Sequence, residues 1–353
     1  MKLQHSISAF ALATASAGVA AVTFTGPTET ISDIGIFDWA PTSFLADDGN
    51  QAIADYINDA APTPTPKPFD VYSHGQLAAF QDTGGGTISS GIGSTYEVTF
   101  VLGFAEAVID VDLGVVTNDT KFGFGPSGKQ LGPFTEADRK MTDGTTPNYF
   151  RMYYDESPDA NSLAGTGFSD GTLIASGQIA PVSTFIAGFD VEVGTTANLG
   201  STTPGSNAAG WPFVGTPTQT VIGNGNTTTL DLIVAPLFVD TSFFNGQTLT
   251  SFLMTGIAQI TPFTTTDPSL TFEDSTGASI DAKTDVAGVP LGGAHINGGL
   301  DTSGPVTAPN PSFMAQVDAA SPISTAAVPA PASLALIGIG LAGLGAARRP
   351  RRR

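Results

Sequence analysis

Asp155, Glu156, Asp159, Asn161 and Asp170 place five hard-oxygen side chains within 16 residues of sequence. Calcium takes several such oxygens and tolerates irregular loops, so this stretch is a candidate calcium site. Its spacing does not match the EF-hand loop. The reading the spacing favours for the same residues is solvated turns in which acidic side chains cap backbone N–H groups. Asp110 and Asp112 share a strand face and admit the same two readings.

Other chemistry finds little support. The histidines are His5, His74 and His295. A zinc site needs three or four close ligands, and only His74 and His295 lie in the body of the chain. There is no G-x-S-x-G elbow for a serine nucleophile, and the glycine-flanked His74 and His295 read as exposed loop residues. Cysteine is absent, which excludes a thiolate zinc site, a cysteine nucleophile, a disulfide framework and a lipobox. Gly84, Gly85 and Gly86 lack the strand–loop–helix context and basic residues of a phosphate loop and read as a tight turn. A glycosidase needs two facing carboxylates; among 32 acids no particular pair is nominated. No catalytic residue is assigned, and the chain reads as a non-enzyme with no required cofactor, calcium being the one candidate.

The elements that would carry these residues are strands. Tyr96, Val98, Phe100, Leu102 and Phe104 alternate onto one face, the period of a half-buried strand. Further strands are expected at 107–116, 149–154, 172–176, 184–193, 228–234 and 249–261, with a strand-like region carrying Ile34, Ile36, Phe37, Trp39, Phe44 and Leu45. Turn pairs separate them: Asn118-Asp119, Asp143-Gly144, Asp170-Gly171 and Asn245-Gly246. After Asp47 and Asp48, Ile53, Tyr56 and Ile57 fall on one face of a short helix. The fold class is all-β, and the expected architecture is a β-sandwich or jelly roll. The proline-rich 62–68 stretch is either a surface loop or an internal break in a 22–291 ectodomain. Residues 292–327, rich in Gly, Pro, Ser, Thr and Ala, read as a flexible linker.

Charge divides the chain into three parts. The 353 residues carry a formal net charge of -19, which makes nucleic acid an improbable partner. Arg348, Arg349, Arg351, Arg352 and Arg353 fill most of the last six positions, and every acid lies between Glu29 and Asp318. Residues 1–21 have the form of a secretory signal: Lys2 and His5, an apolar stretch with Phe10, Leu12 and Val19, and small residues at Ala15, Ala17 and Ala21. This implies the Sec machinery and signal peptidase as partners. At the other end Pro329 and Pro331 precede an apolar, glycine-rich span over 332–347. Sixteen residues make a helix of about 24 Å, short for a bilayer core of about 30 Å. The arginines after it are held on the cytoplasmic side, with the acidic body outside.

This three-part end, over 328–353, resembles the PEP-CTERM sorting signal: the motif Val328, Pro329, Ala330, Pro331, Ala332 and Ser333, then the apolar span, then the Arg cluster. The family usually carries Glu between the prolines; here that position is Ala330. The resemblance implies a Gram-negative origin and processing by the membrane enzyme exosortase, with cleavage near Pro329 to Pro331. The protein would be anchored briefly in the inner membrane, its body in the periplasm, and then pass to the outer surface or extracellular matrix. Within the body, Asn148, Tyr149, Phe150, Arg151, Met152, Tyr153, Tyr154 and Asp155, followed by Gly165, Thr166, Gly167 and Phe168 through Ile174, are similar to flocculation-associated PEP-CTERM proteins. Those are secreted proteins that hold cells in exopolysaccharide aggregates, so this likeness implies a role in flocculation or biofilm. The alternatives are a calcium- or glycan-binding adhesin module and a secreted hydrolase.

Overall fold

The computed structural model describes residues 21–62, 64–113, 118–124, 147–180, 187–191, 197–198, 221–222, 230–247, 249–260, 269–274, 276–281, 296–297, 304–308 and 311–325. In chain order the elements are β1 (Val22–Thr25), β2 (Thr30–Asp47), α1 (Gly49–Asn58), β3 (Lys67–Asp82), β4 (Thr87–Ile88), β5 (Glu97–Leu113), β6 (Asn118–Phe124), β7 (Tyr149–Asp155) and β8 (Thr172–Ala180). They continue with β9 (Ala187–Val191), β10 (Ala197–Asn198), β11 (Val221–Ile222), β12 (Leu230–Val239), β13 (Leu249–Ile260), β14 (Thr271–Glu273), β15 (Ser279–Asp281), β16 (Ile296–Asn297) and β17 (Phe313–Thr325). The all-β expectation holds, but the strands expected around Tyr96 to Phe104 and at 107–116 are one continuous strand, β5, and β3 and β17 lie where no strand was expected. Asn118-Asp119, read as a turn, instead opens β6, where Asn118 pairs with Leu113.

The sandwich expectation does not hold. Strands β2, β3, β5, β7, β8, β12, β13 and β17 pair antiparallel in chain order, and β17 returns to pair with β2. The sheet therefore closes into an eight-stranded up-and-down barrel rather than the Greek-key pairing of a jelly roll. Strand β5 is long enough to serve two partners along one edge. Its 17 residues pair with β3 along one edge and with β7 and then β6 along the other. Strands β6, β9 and β11 extend the sheet as a branch from β5, and β1 and β4 pair with β2 and β3. A closed ring leaves its members without the open edges that invite aggregation.

The inward residues form one apolar cluster. Tyr96, Val98, Phe100, Leu102 and Phe104 of β5 all join it, with Phe37, Trp39 and Phe44 from β2, Phe80 from β3 and Phe150 and Met152 from β7. This is the reverse of the polar lumen of a membrane-spanning barrel. Gly75 on β3 lies opposite Phe100, and a Cβ there would meet the Phe100 ring at 2.5 Å. The strand carries glycine at this point because the aromatic ring occupies the space. Helix α1 packs on β3 and β5 at one end, burying Ile53 with Tyr56 and Ile57 half-buried beside it, as the spacing predicts. Its start is not capped by an acidic side chain. Asp48 is left-handed (φ 62°), and its backbone N–H donates to Ser312 Oγ at 3.0 Å. At the other end Phe24 of β1 sits among Phe80, Tyr96, Tyr154, Phe243 and Phe244.

Two organisational expectations resolve differently. Of the 62–68 stretch, Lys67 and Pro68 already belong to β3, and Asp59 at the end of α1 accepts from Thr65 N–H and Lys67 Nζ, so residues 64–66 are tied to the barrel. The flexible linker expected over 292–327 is corrected. Its last part, Phe313–Thr325, is a barrel strand bonded to β13 on one side and β2 on the other. Its small residues read as a linker, but Phe313, Val317, Ala319 and Ile323 face the core. The signal segment and the short transmembrane helix lie outside the described residues. Among the described residues no helix is long and apolar enough to cross a membrane.

Candidate functional site

The expected calcium stretch is the 156–171 loop between β7 and β8, together with the end of β7. The structure brings Asp155 and Asp159 together with Glu97, the first residue of β5, so that one carboxylate oxygen from each lies within 4.8 Å of the others. Cross-strand pairing of Glu97 with Asp155 accounts for this, and Glu97 was missed because it is 58 residues away in sequence. Glu156, Asn161 and Asp170 are not in the cluster. Asn161 Oδ1 instead accepts from Ala164 N–H at 2.9 Å, holding a turn.

Glu97 is fully buried and well bonded. Its carboxylate accepts from the backbone N–H groups of Asp159 (3.0 Å) and Ala160 (3.1 Å) and from Gln76 Nε2 (2.7 Å). Burial, and to a lesser degree Asp159 and Asp155, pushes its pKa up against those donors. Partial desolvation, then Asp170 and Asp155, likewise raises that of Asp159. Such a group of crowded carboxylates has the donor set for a hard cation. Elsewhere the acids act as turn caps. Asp82 accepts from Gly84 and Gly86 N–H, Asp240 from Ser242, and Asp274 from Thr276 and Ala278.

The 156–171 loop also roofs the outer face of the barrel. Leu270 N–H donates to Leu163 O, and Glu273 on β14 accepts from Gly167 N–H and Ser169 Oγ, so loop and β14–β15 hairpin form one layer. Beneath it His74 is fully buried on β3, which corrects its reading as an exposed loop residue. Its ring stacks on Phe168 at 4.0 Å and lies 4.9 Å from Phe272. His74 Nε2 is 2.9 Å from Ser269 Oγ, which donates to Ser162 O and contacts Ser43 Oγ at 2.7 Å. Among the described residues Nδ1 has no hydrogen-bond partner. Burial lowers its pKa to about 3 and keeps the ring neutral. His5 and His295 lie outside the described residues, and of Asp110 and Asp112 the structure describes the pairing alone, opposite Lys121 and Asp119.

One further acid was invisible to the sequence reading. Glu106 on β5 points into the apolar interior between Phe104 and Val108, 3% exposed, with Oε1 unbonded among the described residues. Burial raises its pKa to about 8.

The sorting motif, Val328 to Ser333, and the Arg348, Arg349, Arg351, Arg352 and Arg353 cluster lie outside the described residues. A family match covers all of these but Arg353. Comparison of the whole chain with curated proteins and with solved structures gives no match. Residues 327–352 match the family model of the PEP-CTERM protein-sorting motif, which implies exosortase as processing partner and an exported protein delivered to the cell surface through a membrane-anchored C-terminal segment. The chain thus joins an eight-stranded barrel, through β17, to a PEP-CTERM sorting domain.

Proposed function

We propose that the barrel is a non-catalytic surface or matrix module that acts in exopolysaccharide-linked aggregation, flocculation or biofilm. The observation that carries this reading is the sorting motif at 327–352. It is compatible with a barrel interior filled by aromatic side chains. The body holds 7 basic against 32 acidic residues. Such a surface repels anionic polymer unless divalent cations bridge the two. Mass spectrometry of the mature protein from cells with and without exosortase tests the processing. The expected result is a C-terminus near Pro329 to Pro331 only where the enzyme is present. Retention of Arg353 in both strains overturns it. Loss of cell aggregation on deletion, restored by the processed form, tests the role.

A second reading, a calcium-binding adhesin module, draws on the approach of Glu97, Asp155 and Asp159. Millimolar calcium is expected to raise the melting temperature of the protein, since a ligand that binds only the folded state stabilises it. A D155N/D159N variant is expected to lose the shift. An unchanged wild-type melting curve removes this reading.

A further inference from the structure

The barrel ends are not equivalent, because the chain enters and leaves at the same one. Val22 pairs with Ile34 on β2, and Ile36, two residues on, pairs with Pro322 near the end of β17. Gln247 fastens the entry: its side chain accepts from Thr23 N–H at 2.9 Å and donates to Ala21 O at 3.3 Å. Leu249, two residues further, pairs with Thr325. Ala21, where the described chain enters the barrel, and Thr325, where it leaves, are therefore neighbours. Helix α1 occupies the opposite end, beside Asp47 of β2 and Phe313 of β17.

The tether is short. Thr325 is held in the ladder, and the apolar span begins at Ala332, seven residues on. Fully extended, seven residues reach about 25 Å. The barrel is longer than this. Ile34 and Asp47 lie near its two ends on β2, and 13 residues along a strand tilted by about 40° rise roughly 30 Å.

We propose that the end of the barrel formed by Ala21, the 240–247 loop and Thr325 is the face the precursor turns to the lipid bilayer, held there by the tether. This rests on the reading of 327–352 as a membrane-inserting sorting segment. Attraction to lipid does not orient it, since Asp82, Asp155, Glu156, Asp159 and Asp170 lie at this end and oppose anionic headgroups. The face is one of position rather than affinity, and a processing enzyme in the membrane meets it first.

The chain has no cysteine, so one can be placed at will. Thr241 lies in the loop at the tethered end and Ala60 follows α1; both are exposed. Full-length precursor carrying T241C or A60C is labelled with a fluorophore and inserted in phosphatidylcholine vesicles containing a headgroup-quencher lipid. Quenching at T241C is expected to exceed that at A60C several-fold. A 20-residue Gly/Ser spacer between Thr325 and Ala326, with an r.m.s. span of roughly 25 Å, is expected to remove most of the difference. Equal quenching in the unmodified precursor overturns the orientation. A difference that survives the spacer overturns the tether as its cause. Failure of the precursor to float with vesicles overturns the membrane-inserting reading itself, and the orientation with it.

Discussion

Replacing Glu106 by Gln stabilises the protein at alkaline pH and leaves it nearly unchanged near pH 4.5. The carboxyl is buried between Phe104 and Val108 with an oxygen unbonded among the described residues, and burial raises its pKa from 4.5 to about 8. Below pH 4.5 the group is protonated folded and unfolded, and it costs nothing in linkage. Between 4.5 and 8 the unfolded chain releases the proton while the folded chain keeps it, so stability falls as pH rises. Above 8 the loss is complete. At roughly 1.4 kcal/mol per pH unit of separation, the Gln variant gains on the order of a few kcal/mol at pH 9. His74 works in the opposite window. Its pKa is lowered from 6.5 to about 3, so the stability tied to its neutral ring is present above 6.5 and is lost as pH falls toward 3. The wild-type optimum is therefore expected between pH 4.5 and 6.5. Melting curves of wild type and E106Q from pH 4 to 9 check this, and a wild-type–variant difference that is constant over that range refutes it.

Replacing Trp39 by Ala costs about 3–5 kcal/mol, the range for deleting a large buried aromatic. Trp39 is 1% exposed and links its own strand to two others that close the barrel. It stands on β2, its ring meets Phe100 of β5 edge-on at 4.7 Å, and its Nε1 donates to Ser321 Oγ of β17 at 2.8 Å. Ser321 is fully buried. Trp39→Phe keeps much of the bulk but strands that hydroxyl, which adds a cost of about 1–3 kcal/mol for an unsatisfied buried group. The expected order of stability in urea unfolding is wild type, then W39F, then W39A. A W39A variant within about 1 kcal/mol of wild type would show that the cluster repacks and that Trp39 does not secure the closure.

The sequence by itself determined the all-β class, the short helix and the sorting end, because each is written in a local pattern. Alternation over Tyr96 to Phe104, the 3/4 spacing of Ile53, Tyr56 and Ile57, and the ordered proline, apolar and arginine segments need no distant partner to be recognised. It could not tell a barrel from a sandwich, since both use the same alternation. That was decided by which strand each edge meets, above all by β5 reaching both β3 and β7 and by β17 pairing with β2 across almost 300 residues of sequence. The same non-local pairing turned a small-residue segment into a core strand. It set Glu97 against Asp155, which no spacing within 155–170 shows. It buried His74 under Phe168 and Phe272 despite its neighbouring glycine. Glu106 sits in register with inward residues of β5, but a carboxylate in an alternating strand marks the solvent face unless the second layer is known. Local pattern fixes which side of a strand faces a core; long-range hydrogen bonding alone decides how many cores there are, what roofs them, and at which end of the barrel the chain leaves for the membrane.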